Sequence, residues 1–142
     1  MGRPKDLEKR KHILEAAKKL FLKTGYHGSS MNQIAKEAGV TKLTVYNHFQ
    51  DKETLFYCAI EETCEESINA RPIGLSANSD FLSHFHQACE LAMNIINLPE
   101  AIKLEHLLLE LAAEKNPLAL QFYNASHQKM CDVWQDFFVQ AT

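Results

Sequence analysis

Residues 30–49, SMNQIAKEAGVTKLTVYNHF, decide the fold of this chain. Ser30 and Gln33 form the S-x-x-Q pattern that caps a helix start, and Ile34, Ala35 and Ala38 recur at the spacing of one buried helical face. Gly39 supplies the left-handed residue that ends such a helix. Thr41 is a cap for a second short helix, Lys42 to Phe49, in which Val45 and Phe49 at i and i+4 point into a core. Two short helices joined by Gly39-Val40-Thr41 have helix-turn-helix spacing. The outer face of the second helix and its flank, Lys42, Leu43, Thr44, Tyr46, Asn47, His48 and Lys52, offers donors, a methyl-contacting side chain and cations. Packing does not require that set; a phosphate-lined groove does.

Upstream, Ile13, Ala16, Ala17, Leu20 and Phe21 predict an amphipathic helix from Asp6 to Thr24, ended by Gly25. Downstream, Asp51 caps a helix from Lys52 to Asn69, with Leu55, Phe56, Ala59, Ile60, Cys64 and Ile68 as its stripe and length enough to link two domains. Residues 70–79 hold a proline, a glycine and small polar residues and read as a loop. Three further helices are predicted. The first, Asp80 to Asn97, turns Phe81, Phe85, Ala88, Cys89, Ala92, Met93 and Ile96 inward. The second begins at Pro99 and is apolar nearly all round, which marks it as internal. The third is capped by Asn116 and runs toward the end. No stretch alternates as a strand would. The expected fold is all-α: a three-helix helix-turn-helix domain, residues 1–52, joined by the fourth helix to a second helical domain, residues 53–142, to which the family resemblance given below assigns regulatory ligand and dimer contacts.

Charge supports two tasks. Residues 1–52 carry eleven Lys or Arg against five acids, whereas the remainder carries four against thirteen. The first part suits a polyanion and the second does not. Cys58, Cys64, Cys89 and Cys131 lack CxxC spacing and read as small buried hydrophobes in a reducing compartment. No apolar run reaches the roughly 18 residues of a membrane span, and the start is charged, so the chain reads as soluble and cytoplasmic. None of G-x-S-x-G, G-x-x-x-x-G-K-[ST] or H-E-x-x-H occurs, so no catalytic residue is assigned and an enzyme is not expected.

The stretch from Ala38 to Leu55, with Ile13-Leu14-Glu15-Ala16-Ala17 and Phe21-Leu22-Lys23-Thr24-Gly25-Tyr26, resembles the signature of the TetR family of bacterial repressors over roughly residues 6–60. The resemblance implies that Lys42, Leu43 and Thr44 face base edges in the major groove and that Tyr46 and His48 donate to phosphates. Thr41, Lys52 and Ser30, at helix N-termini, are further phosphate candidates. Leu43 departs from the small residue common there and can make only apolar contact, most sensibly with a thymine methyl. Arg3-Pro4-Lys5 reads as a terminal tail, with a minor-groove arm as the alternative.

The resemblance further implies a repressor released from double-stranded DNA by a small effector held among the C-terminal helices. Phe81, Phe85, Cys89, Met93, His106, Phe122, Tyr123, Met130 and Trp134 are the candidate lining, which suits a mostly apolar molecule. No cofactor is expected, and no metal: His84 and His86, two apart on a helix, do not share a face. His106 and His127 read as structural histidines. Family members dimerise through two further helices beyond the point where this chain stops. Val139 to Thr142 looks like an unfinished helix, so the chain reads either as a shortened form or as one that dimerises by other means; a homodimer is expected where the full C-terminal region is present.

Overall fold

The computed structural model describes residues 4–70 and 80–141. All regular structure among them is helical: α1 (Pro4–Thr24), α2 (Met31–Ala38), α3 (Lys42–Phe49), α4 (Lys52–Asn69), α5 (Phe81–Ile96), α6 (Pro99–Ala113) and α7 (Leu118–Ala141). The expected all-α fold is observed. Arg3 and residues 71–79 of the predicted loop, residues 70–79, lie outside the described residues. Pro4 and Lys5, expected in a tail, are already helical, because the fixed φ of proline suits a first helical turn where no amide donor is needed.

The chain divides into two compact units, residues 1–63 and 64–142. The division falls inside α4, three turns past the sequence-based boundary at residue 52. Its early turns belong with α1, since the Phe56 ring meets Phe21 edge-on at 5.0 Å and Tyr26 at 5.1 Å. The core of this first unit is Ile13, Ala17 and Phe21 from α1, Ile34 from α2, Val45 and Phe49 from α3, and Leu55 and Phe56 from α4, all essentially without solvent contact.

In the second unit the buried stripe of α5 is His84, Ala88 and Ile95. Of the expected inward face, Ala88 is buried, Cys89 and Ala92 are half-buried, and Phe81, Phe85, Met93 and Ile96 are exposed, with His84 and Ile95 turned inward in their place. Helical spacing fixes a period but not its phase when apolar residues cover more than half the circumference. In α6, of the leucines that mark it as internal, Leu104, Leu107 and Leu111 are buried and Leu108 is half-buried, but Ile102 and Leu109 are exposed, so the helix is buried on one face only. Around α7, Leu118, Phe122, Ala125 and Phe137 are buried. None of the cysteines is fully buried: Cys58, Cys64 and Cys89 are half-buried and Cys131 is exposed, all as free thiols. Burial pushes the Cys64 thiol up to about 11, so it stays protonated at neutral pH.

Caps close the helices as their residues dictate. Ser30 Oγ accepts from the Gln33 amide at 3.2 Å while the Ser30 amide donates to Gln33 Oε1 at 2.9 Å. Gly39, at φ 69°, lets Val40 donate to the Ala35 carbonyl and turns the chain toward α3. Asp51 Oδ1 accepts from the Thr54 amide at 2.7 Å at the start of α4. That bond holds the Asp51 carboxyl below its usual range, so the cap stabilises fully above the ordinary aspartate range and is lost as pH falls through the lowered folded value.

Among the described residues two non-glycine positions, Gln50 and Lys115, have positive φ, and the turn at Gln50 is strained. Gln50, between α3 and α4, has φ 60° and ψ −54°, and the Asp51 amide donates to the Phe49 carbonyl across it, which is the rare γ-turn that side chains disfavour. Gln50→Gly is expected to raise stability by about 1 kcal/mol and Gln50→Val to lower it. Urea denaturation followed by circular dichroism checks both, and equal midpoints for the two variants would contradict the strain.

Candidate nucleic-acid interface

The helix that carries the candidate residues is held from beneath. Val45 and Phe49 anchor α3 in the first unit's core, and the Arg10 guanidinium of α1 lies 5.1 Å from the Phe49 ring centroid, covering it. An ion pair between Lys19 of α1 and Glu37 of α2 pins the supporting helix, and the hydrogen bond from Lys19 holds the Glu37 carboxyl below its usual range. α3 therefore packs on both α1 and α2.

With that face anchored, Lys42, Leu43, Tyr46 and Asn47 project outward. At 3.6 residues per turn these four fall within an arc of about 140°, the width that one groove wall can meet. Leu43 is 69% exposed, which leaves its side chain available for an apolar base contact. The Lys42 ammonium lies 5.7 Å from the Tyr46 ring centroid, so the two share one patch.

The remaining candidates sit at the margin. Thr44 is half-buried. The Thr41 hydroxyl accepts from the Thr44 amide at 3.2 Å and lies 2.8 Å from the Thr44 hydroxyl, so both are engaged in capping. Ser30 is exposed and spends its hydroxyl on its own cap. Lys52 is half-buried, its ammonium 4.1 Å above the Tyr26 ring, and burial lowers its pKa. His48 is half-buried on the flank of α3, with Nε2 3.2 Å from Asp6 Oδ1 of α1. Sequence reasoning missed Asp6, Arg10 and Tyr26 as neighbours of this surface, because contacts between α1 and the later helices leave no local spacing signal.

The effector candidates do not share one surface. Phe81, Phe85 and Trp134 gather with Phe137 and Phe138 in an aromatic cluster, where Phe81 and Phe85 stack at 5.8 Å and Phe85 meets Trp134 at 6.3 Å. Phe122 belongs to the core, Cys89 and Met130 are half-buried, and Met93 and His106 are exposed. Tyr123 is exposed and stacks on His127 at 5.2 Å. His127 has Nε2 3.1 Å from Glu105 and Nδ1 2.9 Å from the Ser126 hydroxyl, a satisfied surface histidine. His84 is buried while His86 is exposed beside Glu90, so the pair is split between faces. Among the described residues no group of three His, Cys, Asp or Glu is placed to hold a metal, and no helix is long and apolar enough to cross a membrane.

The family described as bacterial regulatory proteins, tetR family, matches residues 13–57. Over 132 residues the chain is 30% identical to an HTH-type transcriptional regulator of Staphylococcus aureus strain USA300, covering 92% of this chain and 68% of that protein. A crystal structure described as a TetR-family transcriptional regulator from Mesorhizobium loti superposes with a TM-score of 0.82 at 28% identity, over 96% of this chain and 69% of that one. The flavonoid-responsive regulator FrrA superposes with a TM-score of 0.77 at 27% identity, over 94% of this chain and 67% of that one. NalD, the secondary repressor of the MexAB-OprM multidrug efflux pump in Pseudomonas aeruginosa, does so at 0.53 and 27%, over 94% and 69%. Two short helices stand across a glycine turn with Lys42, Leu43, Tyr46 and Asn47 on the outer face, and the matched residues span that unit; the chain belongs to the TetR family and is a helix-turn-helix, DNA-binding transcriptional regulator.

Proposed function

We propose that the chain is a repressor whose α3 enters the major groove. In this reading Lys42, Leu43 and Thr44 meet base edges, while Ser30, Thr41, Tyr46, His48 and Lys52 meet phosphates and Asn47 contributes a donor at the rim. The observation that carries it is the exposed arc of Lys42, Leu43, Tyr46 and Asn47 on a helix whose opposite side is locked by Val45 and Phe49. The protein works in the cytoplasm as a homodimer, placing two copies of α3 about 34 Å apart on the duplex. Repression has support in the likeness to NalD.

A mostly apolar, aromatic effector releases the DNA. FrrA is named for its response to flavonoids, and the cluster of Phe81, Phe85 and Trp134 presents rings on which a flat molecule can stack. Trp134 is the sole tryptophan, so a ligand at this cluster reports itself. Titration with the flavonoid quercetin is expected to quench Trp134 fluorescence saturably and to release a labelled duplex over the same concentration range. Unchanged fluorescence together with unchanged DNA affinity would reject this effector class.

A further inference from the structure

Asp6 is an acid on a surface built for a polyanion. It stands in the first turn of α1, with Lys5, Lys9, Arg10 and Lys11 nearby in sequence. A carboxylate there weakens attraction for phosphate by simple charge. Its position near an N-terminal helix end accounts for an acid in α1, but not for the approach to another helix. Asp6 Oδ1 lies 3.2 Å from His48 Nε2 on α3, and the imidazole side chain is only 14% exposed against 57% for Asp6. The Phe49 ring lies 6.2 Å from the His48 ring between centroids, and Arg10 covers Phe49 in turn.

We propose that Asp6 is a positioning residue for DNA binding: it fixes the His48 imidazole through Nε2, leaving Nδ1 as the nitrogen that donates to a backbone phosphate. The two ring nitrogens lie on different edges, and a carboxylate engaged by one sets the orientation in which the other is offered. In the complex both nitrogens donate, which requires the imidazolium, and the Asp6 carboxylate balances its charge. A free imidazole on the flank of α3 would lose rotamer freedom on meeting the phosphate; one already held by Asp6 and largely shielded from solvent has less to lose. The inference rests on the proposed contact between His48 and a phosphate.

Its consequence runs against simple electrostatics. Removing the Asp6 charge strengthens DNA binding if Asp6 is only an acid near phosphates, and weakens it if Asp6 acts through His48. The test is the affinity of the full chain for a labelled random-sequence duplex at one fixed low salt, for wild type, Asp6→Asn, His48→Gln and the double variant, with a thermal melt of each. Asp6→Asn is expected to weaken binding about threefold to tenfold, the scale of coupling between contacting residues. In the His48→Gln background the same substitution is expected to be silent or to tighten binding. A purely structural role for Asp6 would carry an equal loss into both backgrounds and would overturn the proposal. Tighter or unchanged binding by Asp6→Asn, with His48→Gln still weakened, would overturn it while leaving the His48 contact standing. If His48→Gln binds like wild type, the phosphate contact itself is lost and this inference falls with it.

Discussion

Phe49→Ala is expected to cost about 3–5 kcal/mol of stability and to abolish DNA binding as a result. The Phe49 ring is 1% exposed and ends α3, so truncation leaves a cavity at the point where α3 meets the first unit's core. Arg10, whose guanidinium lies over that ring, loses its partner at the same time. The strained turn at Gln50 follows immediately, so little nearby structure can collapse into the space at low cost. Folded domains of this size hold only about 5–15 kcal/mol in reserve, and a loss on this scale melts the first unit near physiological temperature. Urea denaturation checks the magnitude. Leu43→Ala is the control: the side chain is exposed on the same helix and its loss is expected to shift stability by no more than about 0.5 kcal/mol. A Phe49→Ala cost under about 1 kcal/mol would show that α3 is held by something other than this anchor.

Lys42→Glu is expected to do the opposite, keeping the fold and losing the function. Lys42 is the first residue of α3, where the helix N-terminus favours an anion, so the substitution is expected to stabilise the fold by about 0.3–1 kcal/mol. At a groove of phosphates the same change removes one cation and adds one anion. Affinity for duplex DNA is expected to fall by about 2.7 kcal/mol, on the order of 100-fold, with a flatter dependence on salt. A variant that melts higher yet binds worse separates the reading surface from the scaffold. Fluorescence anisotropy at several salt concentrations checks it, and an affinity equal to wild type would remove Lys42 from the interface.

The legible parts of this chain were those governed by local chemistry. The S-x-x-Q cap at Ser30, the glycine turn at Gly39 and the hydroxyl cap at Thr41 each act within four residues, and the bounds of α2 and α3 follow from them. Outward projection of Lys42, Leu43, Tyr46 and Asn47 was equally readable, because Val45 and Phe49 define the opposite side of a short helix, whereas Thr44 and His48, expected on the same outer face, are half-buried. Contacts that join distant parts of the chain were not readable. Asp6 reaching His48, Lys52 over Tyr26 and Arg10 over Phe49 depend on how α1 lies against the later helices, which no spacing encodes. In the second unit the fault was one of phase: α5 has apolar residues on several sides, and a period alone could not show that His84 rather than Phe85 turns inward.

The central claim is that the outward face of α3 meets the duplex. Chemical-shift mapping of backbone amides during titration with duplex DNA tests it most directly. The largest perturbations are expected at residues 41–48, with smaller ones at Ser30 and Lys52 and little change across α6. Perturbations concentrated in α5–α7, with residues 42–47 unmoved, would contradict the account.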